Sequence, residues 1–205
     1  MHGGDDRFSR AIARFDALNA EDPTAVVDPA RPDGGPVPAA LLYGERMTVA
    51  LVRYSRDAPE VVRLAARAQH LGRFRIPRTD YAPGRAGYLR WRTALGKLHA
   101  RLARGILAEV GYNDATIAHV EALLRKRGLR TDPAAQMLED VACLVFLEHY
   151  FDEFAAGQDD DKTIGILAKT WEKMSARAHR EARTLIGRPG YPLRARALVE
   201  AAVER

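Results

Sequence analysis

Residues 132–156, DPAAQMLEDVACLVFLEHYFDEFAA, decide the fold. Asp132-Pro133 is a strong helix start, because a carboxylate accepts the orphan amides of a first turn and proline has no amide to lose there. From Val141 to Leu147 every residue is apolar (VACLVFL), so no face of this segment suits water. Such a helix belongs inside a protein, enclosed by others. The pattern predicts one central helix running to about Ala156.

Helical spacing continues on both sides of it. Phe8, Ile12, Phe15 and Leu18 recur every three or four residues, the mark of an amphipathic helix. A second helix is expected over about Ala39 to Tyr54. A third starts near Asp57 or Ala58, turns Val61, Leu64, Ala65 and Ala68 inward and ends by Gly72. A fourth runs from about Tyr88 to Val110 with Leu95, Leu98, Leu102 and Ile106 inward. Gly111 then stops the chain, Asn113 caps a helix to about Arg127, and Gly128 ends it. After a polar turn over Gln158 to Asp161, helix resumes through Ile164, Leu167 and Trp171 to about Met174. A basic segment and a last helix, about 192–204, follow. The stretch Pro23 to Pro38 holds five of the eleven prolines and reads as an irregular connection. Strand alternation is nearly absent. The expectation is an all-α bundle forming one domain, 1–205.

The chain has 205 residues, 47% apolar and 29% charged, enough for a sizeable core and too apolar for wholesale disorder. No apolar run reaches the roughly 20 residues of a membrane helix. Met1 to Asp6 lacks the apolar core of a signal peptide. The single cysteine, Cys143, makes no internal disulfide and excludes a Cys-rich zinc module. These features point to a cytoplasmic protein with no membrane partner. The net charge is +5, and lysine supplies only five of the 32 basic residues. A biased genome composition explains that better than a nucleic-acid surface does.

Four polar residues fall on helical faces expected to be buried. Glu45 lies on the stripe of Leu42, Val49 and Val52. His99 lies among Leu95, Leu102 and Ile106, and Asp140 aligns with Leu144, Leu147 and Phe151. His70 sits at a helix end just before Gly72. A buried carboxylate needs a partner or a metal, and His and carboxylate groups from separate helices of a bundle can ligate Fe, Mn or Zn. Simpler roles compete: a helix-end imidazole for His70, an Arg partner for Asp140, a satisfied core histidine for His99.

A second constellation lies at 69–92, QHLGRFRIPRTDYAPGRAGYLRWR, with six arginines in 24 residues and Phe74, Tyr81, Tyr88 and Trp91 interleaved. Guanidinium forks grip carboxylate or phosphate, and aromatic faces stack on bases. Arg73, Arg78, Tyr88, Trp91 and Arg92 are the candidate substrate-binding residues. Lys126, near a helix end, suits either the dipole or a ligand phosphate. The alternative is a structural loop whose arginines pair with Asp80, Glu139 and Asp140. No P-loop, dinucleotide fingerprint, GxSxG, HExxH or paired CxxC occurs.

The order of Glu45, Gln69-His70 and Asp140 resembles the ligand pattern H…HD…D of the HD-domain metal enzymes. LAARAQHLGR (64–73) corresponds to the helix end carrying the HD pair. Gln69 then stands for the His of the pair, His70 for its Asp, Glu45 for the first His and Asp140 for the last Asp. His99 falls where some members have another His. The resemblance implies an HD-like architecture, with Glu45, His70, His99 and Asp140 holding a divalent metal (Fe, Mn or Zn) that activates water, or iron that oxidises. With two usual ligand positions changed, it also implies a centre altered or lost. RAQHLGRFRIPR (67–78), GYLRWRTALGKLHA (87–100), LEDVACLVFLEHYFDEF (138–154) and ILAKTWEKMS (166–175) together resemble the family called domain of unknown function 4202 over about 8–185. Its members often carry the label glutamyl-tRNA synthetase. That label does not suit a chain without parallel strands or an ATP-binding motif.

The expected function is an HD-like helical enzyme, a hydrolase by preference. It acts on an anionic small molecule or nucleotide, phosphorylated substrates included, with His70 and Asp140 as catalytic groups. The alternative is a non-catalytic module that binds RNA or an acidic partner through 69–92.

Overall fold

The structure, a computed structural model, describes residues 3–31 and 34–204. Met1 and His2 of the N-terminal stretch, and Pro32 of the proline-rich connection, lie outside them. The fold is all-α. Helices α1 (Gly3–Asn19), α2 (Ala39–Tyr54), α3 (Glu60–Arg67), α4 (Gly84–Glu109) and α5 (Asp114–Leu124) precede α6 (Pro133–His149), α7 (Phe151–Ala156), α8 (Asp160–Trp171), α9 (Ala176–Ile186) and α10 (Leu193–Val203). Two short strands, β1 (Ala25–Val26) and β2 (Val37–Pro38), pair antiparallel. Two compact units result, Met1–Ala135 and Gln136–Arg205. No helix among the described residues is long and apolar enough to cross a membrane.

Local chemistry sets the helix ends. The Asn113 side chain accepts the Thr116 amide at 2.8 Å, and Asp132 Oδ1 accepts that of Ala134 at 2.8 Å. Each satisfies a first-turn donor that has no partner inside its helix. Gly111 and Gly128 take left-handed φ values of 88° and 79° after α4 and α5. Glycine adopts these without steric cost; α4 stops where the sequence predicts, whereas α5 ends at Leu124, three residues before the expected Arg127.

In the first unit, α1 packs on α2, α3 and α4, α2 packs on α3, and α5 packs on α3 and α4. Phe15, Leu42, Met47, Val62, Leu71, Leu107 and Ile117 fill the interior. The stripe expected on α2 is out of phase, since Val49 and Val52 are 65% and 52% exposed. Leu42, Gly44, Met47 and Leu51 face inward instead. Gly44 fits this phase: a Cβ there would stand only 3.0 Å from the Arg67 carbonyl oxygen, so its bare backbone makes room for the end of α3. The connection after α1 is also more ordered than expected. Asp22 accepts the Thr24 amide with one oxygen and the Ala40 amide with the other, both at 2.9 Å. It thereby caps α2 from across the strand pair.

In the second unit α10 packs against α7 and α8. The single helix expected to Ala156 breaks at Tyr150, whose φ is −130°. The break brings Phe151 and Phe154 edge-on to Phe146, with ring centroids 5.7 and 5.6 Å away. An unbroken helix would turn position 151 well away from 146. The basic segment after Met174 is itself helix α9, capped by Ser175, which accepts the Ala178 amide at 3.2 Å. Helix α4 starts four residues earlier than expected, with Pro83 as its entry residue.

Candidate functional site

The segment Gln69-His70-Leu71-Gly72 leaves α3 and is held from two directions. The buried Asn19, the last residue of α1, accepts the Gly72 amide with Oδ1 at 3.0 Å. From α4, His99 Nδ1 lies 2.7 Å from the Leu71 carbonyl oxygen. A carbonyl only accepts, so the proton of this imidazole sits on Nδ1 and Nε2 carries the lone pair. Gly72 turns the chain with φ 64°, and any side chain there would strike Leu102 Cδ1 at 2.7 Å. His70 is thus set on a short, rigid corner.

The two imidazoles face one cleft of about 410 Å³, with ring centroids 6.1 Å apart. The His70 ring stacks on Tyr43, centroid to centroid 3.6 Å with planes tilted 16°. Six basic side chains line the same cleft: Arg73, Arg92, Lys97, Arg125, Lys126 and Arg127. Among the described residues of this unit no Asp or Glu lines it. Burial pushes the His99 pKa down to about 4, although the bond to Leu71 opposes this, and Arg73, Arg92 and Lys126 push it the same way. His70 is lowered well below its usual value by its packed surroundings first, then by Arg73, His99, Arg92 and Lys126. Both rings are therefore neutral at physiological pH. Burial and the adjacent Arg92 likewise depress Arg73, whose guanidinium lies 4.5 Å from the Trp91 ring centre.

Lys126 has φ 58°, the only left-handed non-glycine among the described residues. A lysine there costs roughly 1–2 kcal/mol of steric strain, and such strain gathers at functional sites. Lys126→Gly is expected to raise stability by about 1 kcal/mol while weakening anion binding. Chemical denaturation alongside ligand titration checks this, and a stability loss would contradict it.

The expected site residues divide into those the fold brings together and those it uses elsewhere. His70, His99, Arg73, Arg92 and Lys126 share the cleft. Arg78, Tyr88 and Trp91 are not among its lining residues. Arg78 donates to the Tyr81 and Ala82 carbonyls at 2.8 and 3.1 Å, closing the loop on itself. Buried Trp91 donates its indole N–H to the Ile76 carbonyl at 2.9 Å, and Tyr88 is exposed beside it, with ring centroids 5.9 Å apart. Glu45 is half-buried and paired with Arg31 at 2.7 Å and Arg67 at 4.0 Å. Asp140, in the second unit, accepts from Gln136 Nε2 at 2.9 Å, the Ser175 amide at 2.8 Å and the Ser175 hydroxyl at 2.5 Å.

The sequence offers Glu45, His70, His99 and Asp140 as ligands of a divalent metal. Among the described residues no three His, Cys, Asp or Glu side chains come together in a way that could hold an ion. Two of the four carry carboxylates already engaged by arginine or by serine and glutamine donors. Cys143 is buried, as its enclosed helix predicts. Lys97, Arg125 and Arg127 were not read as site residues. The run RKR at 125–127 was a visible signal, and Arg92, Gly96 and His99 share one face of α4 by their spacing.

Fold and cleft together define an all-α protein with a concave cationic site in its first unit. The chain belongs to a family described as domain of unknown function (DUF4202), whose model matches residues 9–199. No curated protein and no solved structure matches it.

Proposed function

We propose that this protein is an enzyme acting on a phosphorylated small molecule held in the His70–His99 cleft. The observation that carries the reading is the lining of that cleft: six cations around two neutral imidazoles. Guanidinium forks match phosphate oxygens in pairs, and an ammonium adds a point charge. Arg73, Arg92 and Lys126, which all act electrostatically on both rings, hold the anion. A bound phosphate offsets those cations and raises the basicity of His70 toward the working pH. His70 is then the proton-transfer group, and the His99–Leu71 bond keeps its backbone in place. The cleft is concave and of about 410 Å³, which favours a compact ligand over an extended nucleic-acid strand.

Two measurements test this. Isothermal titration with inorganic pyrophosphate is expected to show binding that weakens at least about tenfold in Arg73→Gln. A panel of phosphate esters is expected to include one that releases phosphate, with turnover lost and binding kept in His70→Gln. Binding without turnover on any ester would reduce the protein to a binding module. Tight RNA binding that falls steeply with salt, with no pyrophosphate binding, would favour a non-catalytic module using residues 69–92.

A further inference from the structure

We infer that the ligand of this cleft is the phosphate ester of a polyol, a sugar phosphate or a simpler polyol phosphate, rather than an alkyl phosphate or phosphate alone. The inference rests on the phosphate reading above and adds the part of the ligand that is not phosphate. Gln69 lines the cleft and is 7% exposed. Its Oε1 is buried with no hydrogen-bond partner. Such an oxygen is costly in a folded protein, and a partner arriving with the ligand recovers the loss. The terminal torsion of glutamine is soft, so the amide can turn Oε1 to meet a donor that the ligand brings.

The missing partner must be a donor, because a carbonyl oxygen only accepts. His99 supplies a second acceptor in the same cleft: its proton is committed to the Leu71 carbonyl, so Nε2 offers a lone pair. Two residues with an acceptor to offer, Gln69 and His99, thus line a cleft that six basic residues also line. An ammonium donor would be repelled by those cations, so the donors are neutral. Hydroxyl groups beside a phosphate satisfy both requirements at once. Bare phosphate satisfies only the charge, and an alkyl phosphate brings apolar atoms against two polar oxygen and nitrogen acceptors.

The test compares glycerol 3-phosphate with n-propyl phosphate, which have the same charge and nearly the same size, by isothermal titration against the full chain. Glycerol 3-phosphate is expected to bind at least about tenfold more tightly. Gln69→Leu removes the orphan oxygen and keeps the volume, so it should fold at least as well as the parent. In that variant the preference is expected to collapse while the affinity for propyl phosphate stays the same. Equal affinity for the two esters in the parent protein, or a preference that survives Gln69→Leu, overturns the polyol inference and leaves the phosphate reading standing. Failure of both esters and of pyrophosphate to bind overturns the phosphate reading, and this inference with it.

Discussion

Asp140→Ala is expected to cost about 3 kcal/mol of stability, since each buried donor that loses its acceptor costs about 1–3 kcal/mol. Asp140 is 1% exposed, and three donors converge on its carboxylate: the Gln136 amide group, the Ser175 backbone N–H and the Ser175 hydroxyl. Alanine removes this acceptor from all three, and only the Gln136 amide keeps another, the Lys173 carbonyl. The damage spreads, because Ser175 also caps α9 through the Ala178 amide. Natural domains are stable by only about 5–15 kcal/mol, so this variant sits near the edge of folding. Asp140→Asn keeps one acceptor oxygen and should lose distinctly less. Denaturant unfolding followed by circular dichroism measures both. A catalytic or metal-binding carboxylate would behave oppositely, its removal sparing stability while abolishing turnover. A loss below about 1 kcal/mol for Asp140→Ala would show that the α6–α9 connection does not depend on this group.

Acid should unfold the first unit through its imidazoles before its carboxylates. His99 titrates near 4 in the folded protein against 6.5 for an ordinary histidine. Between those values the unfolded chain binds a proton that the folded one refuses. Stability is therefore complete above about pH 6.5 and declines as the pH falls toward 4. The shift corresponds to about 3 kcal/mol for His99 alone. His70, shifted in the same direction, adds to the loss. His99→Asn keeps a donor placed like Nδ1–H toward the Leu71 carbonyl but cannot take up a proton. Its stability profile over this range should be distinctly less steep than that of the parent. Parallel profiles for the two proteins would mean that His99 takes up its proton as readily folded as unfolded, and would contradict its lowered pKa.

The candidate site was half legible before the fold was known. His70, Arg73 and Arg92 announced themselves as an imidazole and guanidiniums crowded between two helices. Their neighbours did not, because Lys97 and Arg127 look like ordinary solvated charges until α4 and α5 are packed together. Arg78 and Trp91 carried the same chemical signal as Arg73. They serve the loop instead, since Tyr81 and Ala82 offer carbonyls to one and Ile76 to the other. Glu45 was misplaced for a different reason. Apolar spacing on α2 allowed two phases, and the packing takes the one that puts Gly44 against the end of α3 and leaves Val49 in water.

What the amino-acid order determined by itself was the sequence of helices and where most of them start and stop. Those choices depend on neighbours within a turn or two: Asn113 on the Thr116 amide, Asp132 on that of Ala134, left-handed glycines at 111 and 128. Only the tertiary structure decided the register of β1 on β2, the break at Tyr150 and the company each buried polar group keeps. Those outcomes depend on atoms far apart in the chain, such as Asn19 with Gly72 or His99 with Leu71. Periodicity can say that a side chain points inward, but the partner that meets it there comes from how the helices pack.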